Sequence, residues 1–462
     1  MKSVYKACAL LISLLACLTL VACGSAAGGT ETTPNTEETT PKTEETAPTH
    51  GGDIHKDPFQ ERVAGLYTPD GSELLATWEE LVADGILSED GRALYPQNEE
   101  LAGILIVSDT VTSLKYGAFS ACTELTGLII PDSVTVIENG ACSGCTKLAS
   151  VVISDSVVSV GNQAFSGCTA LETVVFGNGI REIGDYAFQE CVKLASVTLP
   201  DSVTDVGKRA FDGTAYYSSS DNWDGNVLYI GSCLIATDEN LSGTYAIRPG
   251  TRRIADGAFE KCKVADVIIP DSVVSIGDQA FASCVGLGSV EIPGSVVSVG
   301  EEAFRSCWSL KSITIADSVV SIGKDAFYNT SYYGNETNWT DGVLFIGNHL
   351  IKADDELSGF YIIPSETRSV ADFAFEGCRW LTRVKLSETV VAIGSSAFAS
   401  CGGMTKVTLP ASVVSIGDDA FYGCYAIRDV HYAGTEEQWA KIAIGTGNES
   451  LVGATVSCNN YH

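Results

Sequence analysis

"VVISDSVVSVGNQAFSGCTALETVVF", residues 151–176, decides the fold. Val151 and Ile153 share one side of an extended segment and Val152 takes the other, the period of two that marks a strand with one buried face. Asp155 and Ser156 turn the chain, Val157 and Val160 return to the inside, and Gly161 allows a bend that a β-carbon would crowd. Ala164 is small where backbone passes close by, Phe165 fills the middle of a coil, and Cys168 follows three residues later. Near copies recur along the chain. The second residue of the Ala-Phe pair falls at 119, 142, 165, 188 and 211, then 259, 281, 304 and 327, then 375, 398 and 421. The gaps are 23 residues except for one of 22 and two of 48. A fixed period of this size marks a stacked solenoid, in which each turn covers the apolar interior of the next. Position 142 carries Cys142 in place of phenylalanine.

The repeat is clearest in "LASVTLPDSVTDVGKRAFDG", residues 194–213, and "LGSVEIPGSVVSVGEEAFRSC", residues 287–307. The pattern resembles the cysteine-containing leucine-rich repeats of bacterial cell-surface proteins, the BspA-like class. That resemblance implies an α/β-type solenoid: a right-handed leucine-rich-repeat coil with a parallel β face and short irregular turns on the other side. The two long gaps are copies of each other, "GTAYYSSSDNWDGNVLYIGSCLIATDENLSGTYAIRPGTRRIADGAF" from 213 and "NTSYYGNETNWTDGVLFIGNHLIKADDELSGFYIIPSETRSVADFAF" from 329. Each reads as a degenerate double repeat, 212–258 and 328–374, with a hairpin around Val227 to Ile235 or Val343 to Ile351, which brings the total to about fourteen turns.

Outside the solenoid, 101–432, the chain divides into distinct regions. Lys2 and Lys6, the apolar run Ala7 to Val21 and "LVAC" at Leu20 to Cys23 resemble a lipoprotein signal, which implies a signal peptide over 1–22 and a lipid on the Cys23 sulfur, palmitate included. Residues 23–58 are dominated by Thr, Glu, Pro and Gly, a composition that reads as a disordered tether. Residues 59–100 read as an N-terminal helical cap, with Leu74, Leu75, Trp78, Leu81 and Val82 on one stripe and Ser72 as N-cap. Residues 433–462 form a C-terminal cap, where Thr435 and Gln438 have capping-box spacing and Trp439 and Ile442 face the last turn.

Ten of the sixteen cysteines stand three residues after the Phe position: Cys122, Cys145, Cys168, Cys191, Cys262, Cys284, Cys307, Cys378, Cys401 and Cys424. Thr214 and Thr330 take the same phase before the two inserts. A metal site needs converging ligands, and only Cys142 and Cys145 are closely spaced. Ladder side chains also point in parallel, which does not supply the near-perpendicular torsion of a disulfide. The cysteines therefore read as buried thiols acting as small hydrophobes, with Cys142, beside Cys122, Cys145 or Cys168, the place where oxidation is to be sought.

With 28 basic against 58 acidic residues the net charge is -30, which repels nucleic acid and anionic lipid. No metalloprotease, phosphate-loop or nucleophile-elbow motif is present, and no cofactor is expected. The outward strand positions are the expected ligand face: Arg383, Lys385, Lys406, Thr408, Asp429 and His431, with Glu291 and Thr314 farther up the coil. Tyr216, Tyr217 and Trp223, with their copies Tyr332, Tyr333 and Trp339, are the aromatic candidates for contact, against burial under the degenerate turn. Asp221, Asp224 and Asp341 are weak calcium candidates, because no full ligand loop surrounds them. The reading is a lipid-anchored, monomeric binding or adhesion protein on the bacterial cell surface. Its partner is an extracellular or host protein or glycan, its only membrane attachment is the lipid, and it is not an enzyme. The alternatives are an envelope spacer without a specific ligand and a polysaccharide-acting enzyme.

Overall fold

The computed structural model describes residues 62–84, 86–88, 90–91 and 101–459. The expected signal peptide, the Cys23 lipid site and the tether lie outside them. The alternation read from the sequence produces a long ladder of parallel strands, in which Ser150 pairs with Gly127 and Thr173 and Val151 with Leu128 and Val174. Val151 and Ile153 are buried, and Ser150 and Val152 are half-buried on the outer side. The ladder comes in three sheets, broken at the inserts: 65–175 (Gly65–Tyr67 and Leu74–Thr77 antiparallel at its start), 242–315 and 359–458.

The other side is more regular than loose turns. Two-residue strands such as Val136–Ile137, Ser159–Val160 and Glu182–Ile183 form a second parallel ladder. A third set of inter-turn bonds runs through the Ala-Phe pair, as where Phe165 N–H donates to Ala187 O and Phe188 N–H to Ala210 O. Most backbone groups of a turn thus find partners in the turns above and below, which is how so thin a coil avoids unpaired buried amides. The result is a right-handed, mostly parallel β-solenoid of many turns with little regular helix.

Down the middle, the phenylalanines stack. Phe165, Phe188 and Phe211 lie 5.3 and 5.4 Å apart, centroid to centroid, with their ring planes nearly parallel. The series resumes with Phe259, Phe281, Phe304 and Phe327 and again with Phe375, Phe398 and Phe421. Gly161 is required sterically, because a β-carbon there would sit 2.6 Å from Asn139 N in the preceding turn. Two residues per turn adopt the left-handed conformation, one before the alanine (Gln163, φ 57°) and one before the cysteine (Glu190, φ 59°).

Each insert contains the expected hairpin. Val227–Ile230 pairs antiparallel with Cys233–Thr237, and Val343–Ile346 with His349–Ala353. The second strand of each hairpin then joins the short ladder in parallel, Leu234 beside Ile254 and Leu350 beside Val370.

The N-terminal end departs from expectation. The helix covers only Trp78–Ala83, and its N-cap is Thr77, not Ser72. Leu74–Thr77 is a strand paired with Gly65–Tyr67, and Leu74 and Leu75 are exposed. Pairing with a neighbouring strand satisfies more backbone groups than two further helical turns would at a chain end, so the helical stripe is overridden. At the C-terminal end, Thr435 and Gln438 form a reciprocal capping box on the short helix Glu436–Trp439. Thr455–Cys458 closes the long ladder against Asp429–Tyr432.

Candidate binding face

The last long-ladder sheet brings six of the expected face residues into two rows. Arg383, Lys406 and Asp429 are register partners across three strands, and Lys385, Thr408 and His431 form the parallel row. Phe360 heads the first row and Ile362 the second, and both are about half exposed at 48% and 57%. The Arg383 guanidinium carbon lies 4.9 Å from the Phe360 ring centroid, a cation–π contact that holds the side chain flat on the sheet. His431 Nδ1 is 3.3 Å from Ser457 Oγ. Among the described residues no ion pair engages Arg383, Lys385 or Lys406, so their charge is available to a partner.

Glu291 and Thr314 are register neighbours in a different sheet, Glu291 pairing with Thr314 itself. With Asp266, Ile268 and Asp271 they line a recess of about 450 Å³. The expected face is therefore two surfaces of opposite character, an acidic recess in the middle sheet and a cationic, partly apolar surface in the last.

A third feature lies on the short ladder. Glu138, Glu182, Asp185, Asp205, Asp256 and Asp278 line one groove of about 510 Å³. Two of these carboxyls stand just after the turn's glycine and accept an inter-turn N–H, Asp185 Oδ1 from Lys208 N and Asp278 Oδ1 from Glu301 N. Burial, together with Asp205 and Asp278, pushes the Asp256 carboxyl up to about 9, and burial pushes Asp205 up to about 6. None of these carboxyls is among the site residues expected from the sequence. For Asp185 and Asp278 the signal was the residue after the repeat glycine, which is Asn162, Asp185, Asp278 or Glu301 in four of the turns.

The aromatic candidates are mostly structural. The Tyr216 hydroxyl donates to Tyr229 O at 2.9 Å and that of Tyr332 to Phe345 O at 3.1 Å. The indole nitrogens of Trp223 and Trp339 donate to Tyr217 O and Tyr333 O. Asp221 lies in the 3-10 turn Ser220–Asn222, Asp224 in the short strand that follows, and Asp341 in a left-handed turn at φ 50°. Among the described residues no group of three or more His, Cys, Asp or Glu side chains could hold a metal ion.

Among the described residues every cysteine is a free thiol, all buried except the half-buried Cys458. Burial is the main force that raises the Cys142 thiol and pushes Cys191 up to about 12, so neither is a thiolate nucleophile at neutral pH. The ladder thiols have a further role that the small-hydrophobe reading did not contain. Seven of the ten reach one turn back to the carbonyl at the Phe position, as Cys191 Sγ to Phe165 O at 3.2 Å and Cys307 Sγ to Phe281 O at 3.0 Å, whereas Cys262 and Cys378, which follow the inserts, turn to Asp238 O and Asp354 O. Thr214 and Thr330 instead bond their own turn's carbonyls, Phe211 O and Phe327 O.

The repeat model described as the BspA type leucine rich repeat region matches in six copies over residues 97–218, 252–363 and 345–442. No curated protein matches the chain. Among solved structures, a leucine-rich repeat protein from Bacteroides ovatus is 21% identical over 72% of this chain and 91% of its own, with a TM-score of 0.24. A leucine rich cell surface protein from Faecalibacterium prausnitzii is 23% identical over 72% and 86%, with a TM-score of 0.21. The pneumococcal vaccine antigen PcpA is 18% identical over 78% and 84%, with a TM-score of 0.23. At these TM-scores the structural likenesses add nothing to the repeat match. With most of its length matched by that repeat, the chain belongs to the bacterial BspA-type leucine-rich-repeat family.

Proposed function

We propose that the protein is displayed on the bacterial surface, anchored by lipid on Cys23, and binds an extracellular protein or glycan through the outward face of the last long-ladder sheet. The observation that carries this reading is the unpaired cationic cluster of Arg383, Lys385 and Lys406 beside exposed Phe360 and Ile362, on a chain of net charge -30. Like charges on adjacent rungs repel, and a surface serving only as a spacer gains nothing from keeping them together. Opposite charge on a partner would relieve that repulsion and steer its approach. The fold of the family is a class not associated with catalysis.

The test applies the full chain to an array of glycans and extracellular proteins, beside a variant carrying Arg383→Ala and Lys406→Ala, with and without a calcium chelator. Binding that weakens at least tenfold in the double variant, and weakens with salt, supports the reading. An array on which the wild-type chain binds nothing supports the spacer instead.

A further inference from the structure

We propose that the first insert holds a binding pocket for a neutral sugar unit, and that the second insert gives the same positions to the protein's own side chains. A cavity of about 510 Å³ opens between the first insert and the turn that follows it, within the roughly 300–1,000 Å³ usual for small-ligand sites. Phe211 and Ala258 lie at its buried floor, and Tyr217 and Trp223, packed edge to face at 5.3 Å, form a wall. The indole nitrogen of Trp223 is spent on Tyr217 O, so Trp223 brings its ring and not a donor. The Tyr217 hydroxyl differs from that of Tyr216. It sits in the field of Asp212, Arg209 and Asp238, all of which line the cavity, and no protein group among the described residues hydrogen-bonds it.

The second insert shows what the same frame looks like when it is filled. Gly257 lines the first cavity at φ 63°, and its counterpart is Phe373 at φ 56°. Lys324 Nζ lies 4.2 Å over the Phe373 ring, and Lys352 Nζ donates to Phe373 O at 3.0 Å. Asp212 is replaced by Tyr328, whose ring packs edge-on against Tyr333 at 5.3 Å. Where the second copy places two aromatic rings, the first has a glycine and a carboxylate. Hairpins of the same register flank both, and Lys352 in place of Ala236 adds a third side chain to the filled copy, so the opening is a property of these substitutions.

The lining defines the ligand class. Its cations are already matched: Glu260 accepts from Lys208 at 2.6 Å and Lys261 at 3.0 Å, and Arg209 lies 4.0 Å from Asp212, while Asp238, Glu239 and Asp256 also line the cavity. An anionic ligand would meet these carboxylates and have to compete for cations that are already paired, whereas hydroxyl groups can donate to the carboxylate oxygens. Aromatic ring faces suit the apolar C–H face of a sugar, and the Tyr217 hydroxyl and Asp238 suit its rim.

The experiment titrates the full chain with glucose, galactose, N-acetylglucosamine and cellobiose, read by saturation-transfer NMR and by tryptophan fluorescence for Kd. Gly257→Phe and Asp212→Tyr import the second insert's own residues and so suit the frame. At least one sugar should bind the wild type, and each variant should raise its Kd about tenfold or more. Phe373→Gly and the Arg383→Ala, Lys406→Ala double variant should leave that Kd unchanged, which separates this pocket from the cationic face. Absence of saturation transfer from all four sugars, or an unaltered Kd in Gly257→Phe, overturns the proposal.

Discussion

The thiol of Cys168 lies 3.2 Å from the carbonyl oxygen of Cys142, one turn back, and not in bridging contact with the Cys142 sulfur. The residue that sequence phase marked as the candidate for oxidation is therefore tied into the ladder through its backbone. Cys168→Ala removes a donor and a sulfur's volume and should cost about 1–3 kcal/mol. Cys168→Thr should recover about half of that, because threonine is buried at this phase in Thr214 and Thr330, with its hydroxyl bonded to its own turn's Phe carbonyl instead of the one a turn back. Denaturant unfolding of both variants checks this. A thiol titration of unfolded protein prepared without reductant should find the ladder cysteines reduced, and six or more oxidised would refute the thiol ladder.

Phe188 stacks on Phe165 below and Phe211 above, whereas Phe119 faces Cys142 at the next rung. Both rings are fully buried. Truncation to alanine should cost about 3–5 kcal/mol at either site from burial and cavity. Phe188→Ala should lose about 1–2 kcal/mol more, since it breaks three ring contacts, the two stacked ones and an edge contact with Phe176. Equal losses at the two positions would show that the stack adds nothing to the burial.

The coil, its period and its buried and outward positions were legible because one error in a repeat is corrected by eleven other copies. Val151, Phe165 and Gly161 each have a physical role that recurs. What could not be read depended on partners distant in sequence. Leu74 and Leu75 carry a helical stripe, yet Gly65–Tyr67 captures them as a strand. The carboxyls Asp185, Asp205, Asp256 and Asp278 share one groove because the Asp256 N–H donates to Val206 O and seats the turn after the first insert on the turn before it, a junction that no spacing in the chain records. The face residues Arg383, Lys406 and Asp429 were separated from Glu291 and Thr314 by a break in the sheet that the second insert imposes.

Ser396 sits before an Ala-Phe pair at φ 52°, the place that Gly140 takes in another turn at φ 63°. A β-carbon in this region costs about 1–2 kcal/mol, offset in part by the greater freedom glycine has when unfolded. Ser396→Gly should therefore raise stability by roughly 0.5–1 kcal/mol, visible as a higher Tm. The same change at Ser412, outside the left-handed positions, should lower it.

Asp256 Oδ1 accepts the Asp278 N–H at 2.6 Å, while burial, with Asp205 and Asp278 nearby, pushes its carboxyl up to about 9. Asp205 and Asp278 are themselves raised, and the cations that line a cavity with Asp256 are Arg253 on one side and Lys208, Arg209 and Lys261 on the other. A folded value above the unfolded one means that the native state holds a proton the unfolded chain releases. The stabilising contribution is thus complete below the ordinary carboxylate value of 3.8 and declines as pH rises towards 9. Asp256→Asn keeps an oxygen for the Asp278 N–H and cannot ionise. Its Tm should match the wild type near pH 4 and exceed it by a growing margin from about pH 5 to 9. Salt should narrow that margin only slightly, because the group is buried and weakly screened. Two Tm curves that run parallel across this range would show that Asp256 ionises freely in the folded chain, and that the groove is open enough to water to hold its full negative charge.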